Sequence, residues 1–430
     1  MTATLQLGDS YGLARANSQN LSAKWVVPFC AIAYLFFQGA LTHVFGGDDG
    51  EGAGPLKVLF LPFALLIQLV STILLTRDFR LKRVRHLLGR NRAMVLSLLL
   101  IILSAAWSID PALTLRRSVA LLGTTTVGLL LYIELGRPHI IRFFALNLAA
   151  FTVVSVLFSV AAPGLGTHVN DQFAGQWRGL LSFKNQAAWS ATLFIVCWLS
   201  LPKVGWTRTF NYPLLLIGFL MLIKTGSATG LIATTFGIAG LWAVTAYRQM
   251  PVLRPLMLTA IVMISIAALL DFENLFAGIL DLLGRDASLT GRTSIWSALW
   301  PVIEDRFWIG NGYLAFWDHA AEYFGNVSWM ADIGHAHNAY IEIILDVGVI
   351  GLAVQILFIT GALLSLFRLA NRGDYQAAAM FVILLTFAVV GMAGALFFRA
   401  NTGTWVMIVT FACYAADRQI APTPGAEVSR

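Results

Sequence analysis

Between Gly334 and Leu352 the chain reads GHAHNAYIEIILDVGVIGL. His335 and His337 stand two residues apart, Asn338 follows, and Glu342 and Asp346 recur four residues apart inside an otherwise apolar run. A neutral imidazole titrates near 6.5 and can take a proton from a weak nucleophile, so His337 has the chemistry of a general base. Ionisable groups are costly in hydrocarbon, and a cluster of them at the mouth of a membrane-length helix is a functional signal. The bland alternative is a polar helix end with no chemistry.

Two further polar stations precede it. WRGLLSFKNQ carries Trp177, Arg178, Gly179, Lys184 and Asn185, and LTGRTSIWSALWPVIEDRFWIGNGYLAFW carries Gly291, Arg292, Thr293, Trp296, Gly310 and Gly312. Each alone reads equally well as a span end anchored at an interface. His319, His335 and His337 suggest a metal, but a catalytic site wants three placed ligands, so no metal and no cofactor are expected. The chain has no G-x-x-x-x-G-K-[ST], H-E-x-x-H or G-x-S-x-G pattern for nucleotide hydrolysis, zinc proteolysis or hydrolase chemistry.

The elements that must position these residues follow from composition. The 430 residues are 58% hydrophobic and 12% charged, against about 25% charged in soluble domains. The expected fold class is therefore all-α, a polytopic integral membrane protein. Cys30, Cys197 and Cys413 fall inside apolar runs and read as small buried hydrophobes. A span needs about 20 predominantly apolar residues. Such segments lie near 24–45, 56–76, 93–108, 114–134, 143–162, 187–201, 212–224, 230–247, 255–270, 341–366, 377–397 and 404–416. About twelve spans with both termini on one side result. The organisation is a tail over 1–23, a membrane domain over 24–417 with a large outer loop over 271–340, and a second tail over 418–430.

The positive-inside rule sets the orientation. Arg77–Arg92 holds seven Lys or Arg and is assigned to the cytoplasm with both termini. The net charge of +7 thus sits mainly in short loops, which sets topology and does not build a nucleic-acid surface. Lys57, Arg116, Arg117, Arg178, Lys184, Lys224, Arg285, Arg292, Arg306 and Arg399 are left at the outer face, against that bias. Guanidinium–phosphate pairs are strong and often bidentate, so a phosphate-bearing substrate at the outer leaflet accounts for them. The 271–340 loop is rich in Trp, Tyr and Phe, and short amphipathic helices at the membrane interface are expected there.

Taken in order, the three stations make the chain resemble the O-antigen ligase and polymerase superfamily of bacterial envelope glycosyltransferases. GRTSIW…GNGYLAFW is most similar to the exopolysaccharide polymerases of the ExoQ type. The resemblance covers about 93–416, and implies a GT-C-like fold in the inner membrane with the site facing the periplasm. It implies a metal-independent, inverting transfer of glycan from an undecaprenyl-diphosphate-linked oligosaccharide to an acceptor glycan or lipid. Other polysaccharide assembly proteins are implied as partners, and nucleic acid is not. By the family's pattern Arg178 and Arg292 bind the diphosphate and His337 activates the acceptor, with Lys184, Asn185 and Asn338 as further substrate contacts. One departure is Ala228, in Ser227-Ala228-Thr229, where relatives often carry a basic residue; Lys224 is the nearest substitute in sequence.

The residues give that chemistry a physical basis. A diphosphate is already a good leaving group and needs charge neutralisation, which fixed guanidiniums supply. A sugar hydroxyl must lose a proton as it attacks, which a neutral histidine accepts. Attachment of the glycan to lipid A core or protein is the alternative within this class. The competing class is a transporter, but carriers usually show related halves and mid-membrane charges, whereas these groups cluster at outer mouths.

The topology is directly testable. Single cysteines at positions 85 and 287, in a background lacking the three native ones, are treated in whole cells with an impermeant thiol reagent. Position 287 should label and position 85 should not; the reverse pattern inverts the orientation.

Overall fold

The computed structural model describes residues 25–39, 57–169, 173–253, 292–324, 334–394 and 398–417. The expected ninth span (255–270), both tails and the stretch from Asp271 to Gly291 lie outside the described residues, as does the Arg292 side chain. Among the described residues the regular structure is helical, with one isolated antiparallel bridge, Thr167 to Trp177.

The main helices are α1 (Trp25–Phe37), α2 (Lys57–Leu75), α3 (Asp78–Arg90), α4 (Arg92–Leu103), α5 (Pro111–Leu135), α6 (Ile140–Ala161) and α7 (Lys184–Leu199). They continue with α8 (Asn211–Lys224), α9 (Ala228–Gln249), α10 (Arg292–Asp305), α11 (Ala339–Asn371), α12 (Tyr375–Val390) and α13 (Gly403–Ala416). Every described apolar segment of the sequence falls on one of these, because only a helix satisfies its own backbone within hydrocarbon. Four are long and apolar enough to cross a membrane: Pro111–Leu135, Arg137–Ala161, Ala228–Gln249 and Ala339–Asn371. A fifth is counted if Leu59–Leu75 and Phe79–Arg90 form one span, and α1, α4, α8, α12 and α13 are shorter apolar helices. On α2 the residues Leu59, Phe63, Leu66, Leu69 and Ile73 are exposed, while Ala64, Ile67, Gln68 and Ser71 are buried. An apolar outer stripe over a mixed inner one is how a helix faces lipid outside and partners inside.

Two compact units arise. One comprises 1–80, 120–234 and 398–407; the other comprises 81–119, 235–397 and 408–430. In the first, α7 is buried along nearly its whole length and packs on α6 and α8. Small residues allow that approach: a Cβ at Gly218 would meet the Phe194 ring, and one at Gly230 would meet Ala188. Thr192 and Thr234 hydroxyls close the contact at 2.8 Å. Arg80, fully buried, donates to Glu134 at 2.6 Å.

In the second unit α11 packs on α4, α12 and α10. The sequence predicts one continuous span over 341–366; instead α11 breaks at Gly348, which adopts φ 68° and ψ −175°. A break strands carbonyls and amides that no water can reach. The loop after α10 takes them up. Asn311 and Gly312 donate their amides to the Leu345 and Asp346 carbonyls at 2.7 and 2.9 Å, while Val349 donates to the Phe307 carbonyl at 2.9 Å. Close approach is possible only because both sides are glycine. A Cβ on Gly348 would strike the Trp308 carbonyl, and one on Gly310 would sit 2.6 Å from the Asp346–Val347 peptide.

Gly348→Ala therefore adds strain from its left-handed backbone to a clash with backbone that cannot yield. It should cost about 2–4 kcal/mol, read as a fall in thermal unfolding temperature in detergent. Gly361→Ala, in the same helix with no neighbour near its Cβ, should be neutral or slightly stabilising.

Candidate functional site

The first station lies in the first unit. A small loop is tied by the Thr167–Trp177 bridge, by His168 donating to the Gln176 carbonyl at 2.9 Å, and by Trp177 donating to the Lys224 carbonyl at 2.9 Å. It presents two buried cations, Arg178 at 4% and Lys184 at 3% exposure. Arg178 Nε donates to the Leu165 carbonyl at 3.1 Å. Lys184 Nζ donates to Gln176 Oε1 at 2.5 Å and lies 4.0 Å from the centre of the Phe173 ring. Asn185 accepts from the Ser227 hydroxyl at 2.8 Å. Arg178, Lys184 and Lys224 bring three basic residues to this loop and the helix ends beside it. Lys224 Nζ lies 5.8 Å from the Trp177 ring, which brings a cation beside the Arg178 loop although position 228 is alanine.

The helix mouth lies in the second unit. Asn338 is the N-cap of α11, its Oδ1 accepting from the amides of Tyr340 and Ile341 at 2.9 and 3.3 Å. That explains the asparagine locally, since a cap is worth about 1 kcal/mol to a helix start. His337 precedes it with φ 52°, a left-handed backbone for a non-glycine residue. Its ring centre lies 3.9 Å from that of His335. The residue before His337 is held at both of its backbone polar groups. Ala336, fully buried, donates its amide to Glu342 Oε1 and accepts from Trp296 Nε1 at 2.9 Å. The other Glu342 oxygen accepts from Trp317 Nε1 at 3.0 Å. Asp346 accepts from the Leu314 amide at 2.9 Å.

Around this mouth α10 presents Ile295, Leu299 and Ile303, one stripe at helical spacing, to Phe316, Ala320, Ala336 and Leu345. Arg292 begins α10, one turn before Trp296. The structure thus gathers Arg178, Lys184 and Asn185 in one unit, and His337, Asn338 and the start of α10 in the other. Gly310 and Gly312 serve the α11 break. Some outer basic residues are engaged by the protein itself. Arg117 forms a fork with Asp318 at 2.6 and 3.2 Å, and Arg306 donates to the Trp107 carbonyl at 3.0 Å. These two need no bound anion to explain them.

His319 faces carboxylates at both ring nitrogens, Glu322 at 2.9 Å and Asp110 at 3.4 Å. Those hydrogen bonds, Glu322 first and Asp110 second, raise its pKa from the usual 6.5. The hydrogen bond from the Leu113 amide lowers that of Asp110, opposed by desolvation and reinforced by His319. Among the described residues no group of three or more His, Cys, Asp or Glu is placed to hold a metal ion.

Glu342, Trp296 and Trp317 carry more of the site than their sequence positions suggested. The available signal was Glu342 five residues after His337, but its contact is to the backbone of Ala336.

Comparison with known proteins bears on the same segments. Residues 213–356 match the family described as O-antigen ligase, a stretch containing Arg292, His337 and Asn338 but ending short of Arg178, Lys184 and Asn185. The exopolysaccharide production protein ExoQ of Rhizobium meliloti (strain 1021) is 26% identical over 314 residues, 68% of each chain.

The His319 contacts pin residues 316–324 to the turn before α5 with a defined pH window. A raised histidine pKa gives stability that is full below 6.5 and lost as pH rises through the raised value. A lowered aspartate pKa gives stability that is full above 3.8 and lost as pH falls through the lowered value. Amide exchange in 316–324, corrected for intrinsic rates, should therefore be slower at pH 6 than at pH 8.5. His319→Ala should remove that difference.

Proposed function

From a chain whose similarities fall in the O-antigen ligase/ExoQ-like superfamily, we propose that it transfers glycan from an undecaprenyl-diphosphate-linked oligosaccharide to a sugar hydroxyl at the periplasmic face of the inner membrane. His337 is the general base. Arg178, Arg292 and Lys184 hold the diphosphate, and Asn185 completes that wall. The supporting organisation is about twelve spans in a GT-C-like arrangement, with both tails cytoplasmic and the 271–340 loop outside.

The observation that carries this reading is the state of His337. A non-glycine residue sits in a left-handed backbone at a capped helix mouth, with the amide and the carbonyl of the residue before it both hydrogen-bonded. Strain of that kind persists only where its surroundings over-determine it, and it concentrates at working sites.

In the proposed reaction the acceptor oxygen attacks the anomeric carbon from the face opposite the diphosphate. A new C–O bond forms as the glycosyl–phosphate C–O bond breaks, so the anomeric configuration inverts. The hydroxyl proton passes to the His337 imidazole, and the bonding pair leaves with undecaprenyl diphosphate. Its growing charge is met by these cations, and charges fixed beforehand stabilise it without reorganisation at the moment of transfer. His337 is supplied by the segment matching the family and Arg178 by the segment before it. The ExoQ similarity favours polymerisation, with a second lipid-linked glycan as acceptor. The family's description favours ligation to a different acceptor, and supplying each acceptor in turn separates the two.

The test is glycan transfer by the purified protein in nanodiscs, followed by release of undecaprenyl diphosphate. His337→Ala should lower turnover by roughly 10²–10⁴-fold with donor binding retained. Arg178→Lys should weaken the donor site because it loses the planar fork. Activity should fall on the acid side as the imidazole protonates. Near-normal turnover in His337→Ala removes the general-base assignment.

A further inference from the structure

We infer that Glu342 and Trp296 are positioning residues that aim the His337 imidazole by clamping the residue before it at its amide and its carbonyl; this rests on the general-base role proposed for His337. Ala336 has no exposed surface, so its amide and carbonyl must find partners within the protein. The amide goes to Glu342 and the carbonyl to Trp296 Nε1. The direction of the His337 side chain is set by the backbone torsions on either side of its Cα. On the C-terminal side the Asn338 cap fixes the chain. On the N-terminal side the Ala336 clamp does so, and turning His337 out of its left-handed state requires one of the two to give way.

The clamp also joins three elements. Glu342 belongs to the first turn of α11, Trp296 to α10, and Trp317 to the tight turn Phe316–His319. A buried carboxylate is tolerated when hydrogen bonds satisfy it, and Glu342, at 4% exposure, receives one on each oxygen. α10 starts at Arg292, the arginine assigned to the diphosphate. The helix that carries the donor contact therefore fixes the base one turn later. A shift of α10 on donor binding would be felt at His337 through the indole of Trp296. Glu342 acts through the backbone of the residue before His337.

The experiment measures kcat and donor KM for Glu342→Gln, Trp296→Phe and His337→Ala, and for each of the first two combined with the third. The purified full chain in nanodiscs is given an undecaprenyl-diphosphate-linked oligosaccharide, with long incubations for the slow variants. Glutamine keeps the size of Glu342 but turns an N–H toward one of its two donors. Phenylalanine keeps the ring of Trp296 and removes its N–H. Each should lower kcat by roughly 10–100-fold, the usual cost of losing a group that orients a functional ligand, and leave donor KM within about twofold. In the His337→Ala background neither should lower kcat further, because a residue that acts only through His337 has nothing left to position.

Wild-type kcat in both single variants overturns the proposal. So does an equal further loss when either is combined with His337→Ala, which marks a purely structural effect. Trp296→Phe, which spares the buried carboxylate, decides the question if Glu342→Gln does not accumulate in the membrane. Full turnover in His337→Ala is a separate outcome, and overturns the general-base reading together with the clamp's purpose.

Discussion

Backbone groups cannot be left unsatisfied where water is absent, and the break in α11 turns that constraint into architecture. At Gly348 the helix stops supplying its own partners, and Phe307 to Gly312 replaces them bond for bond. The polar segment after α10 is held against a membrane-length helix by this exchange. Ile109 donates to the Asn311 carbonyl and Trp107 to the Ile309 carbonyl, so the turn before α5 is tied to the same segment. Of the glycines of GNG, Gly310 allows contact distance to the α11 backbone and Gly312 clears Ser108, both in positive φ.

The buried ionisable groups obey the same economy. Arg80 is matched by Glu134, and Arg83 by Asp417 at 2.5 Å. Glu342 and Asp346, the acids that stand out in an apolar run, each receive backbone amides. Their work is to hold loops onto α11: Glu342 secures the turn before His337, and Asp346 secures Leu314. A carboxylate inside the membrane domain thus carries structural load next to the group proposed to do the chemistry. In the other unit Arg178 donates to the Leu165 carbonyl, and Lys184 donates to the Gln176 side-chain oxygen beside the Phe173 ring.

The aromatic loop was legible as a segment that must fold, and its described part does so as α10, a tight turn and the short helix Ala320–Phe324. What composition did not reveal is how its tryptophans are used. Trp296 and Trp317 point their N–H groups at Ala336 and Glu342, so two residues expected at a lipid interface serve as hydrogen-bond donors to the helix mouth. Likewise His319, which by type belongs with His335 and His337, spends both nitrogens on carboxylates.

By itself the sequence determined the class of molecule, the position of its helices and the three stations where polar residues gather. These depend on quantities that run along the chain: apolar length, charge placement and the residues at helix ends. Asn338 is the clearest case, since a cap acts on the residues that follow it within one turn. The tertiary structure alone decided that α11 is broken, that Gly310 and Gly312 answer the break, and that Glu342 reaches the Ala336 amide. Each is a choice of which donor meets which acceptor. For the break it lies between residues more than thirty apart, and for Glu342 it lies among several partners within reach. Local pattern does not specify that choice, because what selects it is the requirement that no buried amide or carbonyl be left without a partner.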